Sequence, residues 1–208
     1  MTTLATSLIS FLSLGCSVFG YRSEETPRYE VLEKKDSFEI RKYQPYLAAQ
    51  TEVEGDFEEA QGKAFRILAK FIFGENQSQE KLAMTAPVVK ERKSEKMAMT
   101  APVTQTQVDG RWVMTFMMPS KYTKESLPQP KDPRVKIVVV QEKYMAAKIY
   151  SGLWSEQKNN RLGQELKDWI EQKQVWSVNG TVQFAGYNPP WTLPYFRRNE
   201  VLLDISPK

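Results

Sequence analysis

The chain has 208 residues and a formal net charge of +4 at pH 7, and 41% of its residues are hydrophobic. This allows one generous domain or two small ones with a sizeable core, and it argues against a disordered chain. There is no histidine and a single cysteine, Cys16. These counts exclude Ser-His-Asp and Cys-His nucleophilic catalysis, histidine-ligated zinc and an intrachain disulfide. Basic and acidic residues are interspersed, which is typical of a solvated surface and disfavours nucleic-acid binding.

The N-terminal segment is apolar and uncharged over residues 4–19, but it is too short and too polar to predict a membrane span. It is similar to a signal peptide of the bacterial lipoprotein type that ends at Cys16, with a small Gly15 before the cysteine. The usual positive n-region is missing, so an apolar tail without export is the alternative. We therefore expect residues 1–25 to lie outside the fold. Lipidation at Cys16 would tether the protein to a membrane and place it in the periplasm or envelope, whereas the tail interpretation leaves it cytoplasmic.

The first predicted elements are two strands and a helix. Residues 29–43 are rich in Val, Ile, Phe and Tyr and predict one strand, and residues 48–54 predict a second. Asp56 is placed to cap a helix that continues to about residue 73, with two glutamates in its first turn.

Two Asx-Gly pairs predict tight hairpin turns, Asp109-Gly110 and Asn179-Gly180. The flanking strands are predicted at 104–108 and 111–118, and at 175–178 and 181–187. A predicted strand follows each Asx-Gly pair, so each pair is expected to reverse the direction of the chain.

The second part of the chain repeats the order of elements in the first. Strands are predicted at 135–141, 145–151 and 200–205, and a helix capped by Ser155 is predicted to continue to about residue 173. A literal echo supports two related halves, because Tyr46-Leu-Ala-Ala-Gln50 resembles Tyr144-Met-Ala-Ala-Lys148. The sequence thus predicts an α+β fold of mostly antiparallel strands with two helices, in one domain over residues 26–208, with proline-rich residues 119–133 connecting the halves.

The first helix has more apolar surface than one sheet needs. Its expected core stripe contains Phe57, Ala60, Ala64, Ile67, Leu68 and Phe71. Phe65, Ala69 and Ile72 form a second apolar stripe beside it. Loops or a partner subunit would cover this stripe in one interpretation. In the other interpretation, this stripe binds a flat apolar ligand whose acid groups pair with Lys70.

A methionine-bearing phrase occurs twice, from Glu80 to Val88 and from Glu95 to Val103, with Met-Thr-Ala-Pro-Val at the end of each. We expect two short edge segments joined by a charged loop at 90–96, because proline cannot donate to a strand ladder. Methionine fills irregular volume and contacts aromatic surfaces well. Met84 and Met99 are therefore candidate ligand contacts, and core packing is the alternative.

The C-terminal motif Asn188-Pro-Pro-Trp-Thr-Leu-Pro-Tyr-Phe-Arg-Arg-Asn-Glu-Val201 and the Met-Thr-Ala-Pro-Val phrases resemble the SOUL haem-binding family, over about residues 29–205. The resemblance implies a distorted antiparallel β-barrel of two pseudo-symmetric βαββ-like halves with two helices. It also implies a haem-binding groove at the first helix, which by position contains Phe65, Ala69 and Lys70. These residues overlap the second apolar stripe.

One branch of the family has a histidine ligand in an Arg-His-Tyr segment, where this chain has Arg41-Lys42-Tyr43. The resemblance therefore implies haem, or another tetrapyrrole, without histidine ligation. Met, Tyr or Lys would supply at most a weak iron ligand. The candidate binding residues are Lys42, Phe65, Ala69, Lys70, Ile72, Met84 and Met99.

The sequence favours a non-catalytic haem or porphyrin carrier or buffer, since no nucleophile with a base, phosphate loop or metal-ligand cluster is evident. The alternative is an enzyme or an effector-binding protein that acts on a tetrapyrrole or another small apolar ligand. Arg197-Arg198 is expected to pair with a carboxylate such as Glu200 rather than with propionates. Trp191, between prolines, is expected to be a packed anchor.

Overall fold

The computed structural model describes residues 24–78, 94–189 and 191–208. Its strands are β1 (Tyr29–Lys35), β2 (Phe38–Tyr43), β3 (Tyr46–Val53), β4 (Asn76–Gln77), β5 (Val103–Val108), β6 (Arg111–Met117), β7 (Gln129–Pro130), β8 (Lys136–Val140), β9 (Lys143–Tyr150), β10 (Trp176–Gly186) and β11 (Asn199–Pro207). Its helices are α1 (Phe57–Ile72) and α2 (Glu156–Glu171), and a 3-10 turn spans Pro194–Phe196. Within these described ranges, no helix is both long enough and apolar enough to span a bilayer.

The main sheet has the strand order β1-β2-β9-β11-β10-β5-β6-β3-β8, and every pairing in it is antiparallel. Apart from β1 at one edge, the order is symmetric about the β5–β10 pair, because β3-β6-β5 on one side corresponds to β9-β11-β10 on the other. One strand of each half pairs with the other half, since β2 pairs with β9 and β8 pairs with β3. The predicted α+β class, with two helices and a large antiparallel sheet, is confirmed.

The sheet is curled but is not closed by hydrogen bonds. Among the described residues its strand order ends at β1 and β8, which do not pair with each other, so the implied barrel is not closed. Tyr46 on β3 nevertheless packs against a buried cluster to which Tyr43 of β2, Met145 of β9 and Leu202 of β11 contribute. These strands are distant in the strand order, and their contact requires a strong curl.

The two faces of the sheet have different partners. Both helices pack on one face and form the main core with β3, β6 and β10, among other strands. The opposite face carries the smaller buried cluster that includes Tyr43, Met145, Tyr187 and Leu202. Helix residues are absent from this second cluster as far as the structure describes it, and strand side chains form it together with Ala101 and Tyr187, which flank β5 and β10.

Two turn predictions have opposite outcomes. Asp109-Gly110 joins β5 and β6 with positive φ at both residues, which confirms the predicted hairpin. Residues 29–43, predicted as one strand, instead form the hairpin of β1 and β2. Asp36 makes the turn with a φ of 54°, a conformation that aspartate tolerates better than most residues.

The predicted hairpin at Asn179-Gly180 is wrong. Residues on both sides of this pair belong to the single strand β10, which follows β11 throughout its length. The register with β11 shifts between Asn179 and Gln183, so the extra residues bulge out of the ladder. Gly180 adopts a φ of 74° in this bulge, which glycine allows at little cost.

The two similar sequence segments that precede the helices, residues 46–50 and 144–148, do not occupy equivalent structural positions. Ala49 in the first copy faces the helices, but its counterpart Ala147 faces the opposite cluster. Tyr46 and Tyr144 likewise face opposite sides of the sheet. Side chains alternate along a strand, so a shift of one residue reverses every side chain. The two halves are related by strand order, and this echo does not align them.

Candidate ligand-binding face

Helix α1 is fixed in place by its cap and its core stripe. Asp56 has extended backbone, and its carboxylate accepts a hydrogen bond from the Glu59 backbone N–H at 2.8 Å, as predicted. The predicted core stripe is confirmed, since all of its members are buried against the sheet: Phe57, Ala60, Ala64, Ile67, Leu68 and Phe71. The neighbouring side of the helix is thereby held at the protein surface.

The second apolar stripe is only partly at the surface. Phe65 is 39% exposed, and its ring meets the buried ring of Phe116 edge-on with centroids 5.4 Å apart. Ala69 is half-buried beside it. Lys70 is exposed, with its ammonium 3.4 Å from a carboxylate oxygen of Glu75. Ile72 belongs to the main core with 1% exposure, so the structure does not place it on this surface.

The structure adds two residues to this surface that the sequence reasoning missed. Gly62 precedes Phe65 by three residues, and Phe73, which ends the helix, is 56% exposed. Residues spaced by three and four positions lie along one side of a helix, so Gly62, Phe65, Ala69 and Phe73 form one stripe, here called the α1 face. The small side chain of Ala69 leaves the helix surface low between Phe65 and Phe73. This spacing was readable in the sequence.

Basic side chains border the α1 face. A guanidinium nitrogen of Arg66 would lie 3.3 Å from a Cβ atom added at Gly62, so Arg66 extends along this part of the helix. Lys70 lies one turn further on. The face therefore combines an apolar strip with cations at its edge, an arrangement suited to a flat apolar molecule that carries acid groups.

The second methionine phrase is anchored at the C-terminal end of α1. The Asn76 amide donates to the Phe71 and Glu95 carbonyls at 2.8 and 2.7 Å, and its oxygen accepts from the Glu95 N–H at 2.9 Å. The Met97 N–H then donates to the Ile72 carbonyl at 2.9 Å.

This segment was predicted as a short edge segment, and before β5 its strand pairing in the described chain is a single bridge between Glu25 and Thr100. Met97 is buried, and Met99 is half-buried against the main core. Met84 and the whole of the first phrase lie outside the described residues.

Lys42 lies apart from the α1 face. It is on β2, its ammonium is 3.0 Å from a carboxylate oxygen of Glu142, and it lies 5.9 Å from the centre of the Tyr144 ring. The hydrogen bond to Glu142 raises the pKa of Lys42, so the amine keeps its proton and is a poor metal ligand. Four strands of the sheet separate β2 from β6, against which α1 packs.

We expect Lys42→Ala to leave the haemin absorption spectrum and affinity unchanged, because this lysine is paired and distant from the α1 face. The chain also has no histidine, so the iron of haemin added to the protein should not show the low-spin spectrum of two strong nitrogen ligands. Absorption spectra of the parent and the variant, in buffer free of imidazole and amines, test both points. A low-spin bis-nitrogen spectrum in Lys42→Ala would contradict the expectation of weak ligation.

The opposite face of the sheet holds a buried ion cluster made of Glu39, Arg41, Arg198 and Glu200. The Arg41 guanidinium donates to both Glu200 carboxylate oxygens at 2.7 and 2.9 Å and to Glu39 at 2.8 Å. Arg198 also donates to Glu200, which confirms the predicted pairing of this arginine. The Tyr187 hydroxyl donates a further hydrogen bond to Glu200 at 2.7 Å.

The ion cluster is electrostatically satisfied. Burial alone would raise the pKa of Glu200, but Arg41, Arg198 and the Tyr187 hydroxyl outweigh it and hold that pKa below its usual range. Burial raises the pKa of Tyr187 well above its ordinary value. The Glu200 carboxylate accordingly remains ionised, with its acceptor sites taken by neighbours. This arrangement supports the fold rather than proton transfer.

Two other predictions concern the C-terminal motif. Arg197 donates from its Nε to the Thr192 carbonyl at 2.7 Å, a structural contact within the motif. Trp191 is 58% exposed, so its prediction as a packed anchor is wrong.

Metal-ligand geometry is not found in the ranges that the structure describes, where no group of three or more His, Cys, Asp or Glu is placed to hold an ion. The site is thus an apolar and basic surface on one helix of a curled antiparallel sheet.

The fold defines an α+β class with solved members. The chain is similar to a hydrolase from Listeria innocua, with a TM-score of 0.54, 14% identity, and coverage of 84% of this chain and 94% of that one. It is also similar to the EcmrR C-terminal domain, with a TM-score of 0.55, 9% identity, and coverage of 86% and 98%. At these identities the likeness shows the fold alone, and no curated protein sequence matches the chain. The SOUL heme-binding protein family matches residues 24–204, and the chain belongs to this family.

Proposed function

We propose that the chain binds haem or a related tetrapyrrole on the α1 face, as a carrier or buffer, without turning it over. The observation that carries the proposal is an exposed aromatic stripe on α1, with Phe65 and Phe73 at 39% and 56% exposure, in a member of a haem-binding family. Large apolar side chains held at a surface in a continuous stripe are typical of a binding site.

The residues of the α1 face fit a tetrapyrrole. The small Ala69 allows a flat ring to approach the helix closely, and Phe65 offers an aromatic contact that Phe116 holds in position. Arg66 and Lys70 can pair with propionate groups at the ring edge. Haem would supply a redox-active iron when bound, whereas the residues of this face bind the ring and its acid groups.

A haemin titration of the purified chain tests the proposal. We expect a shifted Soret band that saturates at one equivalent, and we expect the pigment to be recovered intact after hours with a reductant. Because binding rests on the ring rather than on an iron ligand, metal-free protoporphyrin IX should bind with an affinity within about tenfold of haemin. Loss of the band with new pigment products would instead support the enzyme alternative. Absence of saturable binding to both ligands would favour a different small effector.

We propose further that the chain is exported and held at the bacterial envelope by lipids on Cys16, a residue outside the described ranges. The support is the apolar segment that ends at this cysteine. Two acyl chains hold a protein at a membrane stably, whereas a single chain does not. Mass spectrometry of the native protein should show a lipid-modified N-terminal cysteine. An intact N-terminus at Met1 or Thr2 in the soluble cytoplasmic fraction would overturn the proposal.

A further inference from the structure

A second concave site lies away from the α1 face, where the first described residues cross the end of the sheet. This cleft, here called the strap cleft, has a volume of about 290 Å³. Its walls are the strap of residues 25–28, the β2–β3 turn, the end of β6 with the turn that follows, and Val139 of β8. The volume lies at the lower limit of clefts that hold small organic ligands, so the cleft cannot enclose a tetrapyrrole.

Backbone hydrogen bonds hold the walls of the strap cleft together. The Gln44 N–H donates to the Arg28 carbonyl at 2.9 Å, and the Met118 N–H donates to the Leu47 carbonyl at 2.8 Å. The Ala101 N–H donates to the Glu25 carbonyl at 2.9 Å, which fixes the strap against the chain ahead of β5. The cleft is therefore preformed, and a ligand would not have to order it.

The floor of the strap cleft is apolar. Met117 and Met118 are buried beneath it, and the partly buried side chains of Tyr46 and Leu47 line it as well. Val139 adds a side chain that is 46% exposed at the edge. Flexible methionine side chains adapt to apolar tails of different shape.

The charges around the strap cleft favour an anion. Glu25, the only acidic residue among the described residues that line it, already accepts the Ser120 backbone N–H with both carboxylate oxygens, at 3.1 and 3.2 Å. Arg28 and Lys124 line the cleft and form no ion pair with any residue that the structure describes. Two unpaired cations thus border an apolar floor.

We propose that the strap cleft binds a small amphipathic carboxylate, with its apolar tail on Met117, Met118 and Leu47 and its carboxylate at Arg28 and Lys124. A carboxylate fits because guanidinium and ammonium groups form charge-assisted hydrogen bonds to it. This site is separate from the α1 face, and ligands at the two sites do not compete.

Octanoate is a suitable probe, and octanamide is its neutral counterpart with the same tail. Adding octanoate to the full-length ¹⁵N-labelled protein should shift the amide resonances of Gln44, Met118 and Ser120 in a saturable manner. Octanamide should bind about tenfold more weakly, because it lacks the charge-assisted hydrogen bonds. Resonances of the α1 face should stay in place.

A double variant, Arg28→Gln with Lys124→Gln, should weaken octanoate binding about tenfold and leave octanamide binding unchanged. Arg134→Gln is the matched control, because Arg134 is paired with Asp132 outside the cleft, and it should bind octanoate normally. Both changed residues of the double variant are exposed, so the variant is expected to fold. Equal binding of octanoate and octanamide, or shifts spread over the whole surface, would overturn the proposal. A haemin titration in saturating octanoate separates the two sites, since the haemin affinity should not change.

Discussion

Replacing Glu200 with glutamine is expected to lower the free energy of unfolding by about 3–5 kcal/mol. Glutamine has the same shape but no charge, so the fully buried Arg41 would keep Glu39 as its only carboxylate partner. Arg198 would lose its carboxylate partner as well and keep its hydrogen bond to the Tyr29 hydroxyl. Removing one member of a buried ion pair is costly because the remaining charge is left without compensation away from water. Urea unfolding, monitored by tryptophan fluorescence, measures the change.

The matched control is Glu52→Gln, which breaks the exposed pair between Lys136 and Glu52 at 3.3 Å. An exposed pair of this kind contributes at most about 1 kcal/mol, because water and salt screen it. If Glu200→Gln unfolds at the same urea concentration as Glu52→Gln, the ion cluster is not the stabilising feature that its burial indicates.

The same cluster sets the response of the fold to acid. Burial opposes ionisation of Glu200, but Arg41 outweighs it and the folded-state pKa lies below the ordinary value. Such a carboxylate contributes stability above its unfolded pKa of about 4.3, and this contribution is lost as the pH falls through the folded pKa. The parent protein should therefore lose stability progressively below about pH 4. Glu200→Gln should lose less over the same range, which urea midpoints measured at several pH values would show.

Replacing Ala69 with aspartate is expected to weaken haemin binding about a hundredfold or more. Its carboxylate would lie in the middle of the α1 face, where a bound ring would cover it and propionates would repel it. Covering an unpaired carboxylate costs several kcal/mol, and each 1.4 kcal/mol corresponds to about a tenfold loss of affinity. The fold should tolerate the change, because Ala69 is only half-buried in the free protein. Haemin and protoporphyrin IX titrations measure the effect.

Asn160→Asp is the control for Ala69→Asp, since it adds the same charge at an exposed position of α2. It should bind haemin like the parent. A folded Ala69→Asp protein with undiminished haemin affinity would show that the tetrapyrrole binds elsewhere.

The parts of the fold that follow from local chemistry were predictable. The Asp56 cap, the α1 core stripe and the Asp109-Gly110 turn each depend on residues close together in the chain. Asn179-Gly180 has the same local signal but a different outcome, because β11 is long enough to pair with β10 on both sides of the glycine. The length of β11, which is distant in the sequence, therefore determines the conformation at Asn179-Gly180. The residues near position 179 do not indicate that length.

The candidate site was predictable to the extent that helix geometry defines it. Phe65 and Ala69 followed from helical spacing, but Ile72 is buried because the segment containing Met97 runs beside the end of α1. That contact joins residues on either side of a long connection, which spacing cannot show. The buried ion cluster around Arg41 was not predicted, although Glu39 and Arg41 occupy alternate positions of a strand. This spacing places both charges on one side of the sheet.

The exchange of β2 and β8 makes each half of the chain complete the sheet of the other. A cut in the connector between β6 and β8 would therefore yield two fragments, each with a strand whose ladder partner is on the other fragment. Neither fragment could satisfy its backbone groups alone, since unpaired strand edges are left exposed. The two fragments should instead complement each other when mixed, and the reassembled sheet would place α1 and the strap cleft as they are in the intact chain.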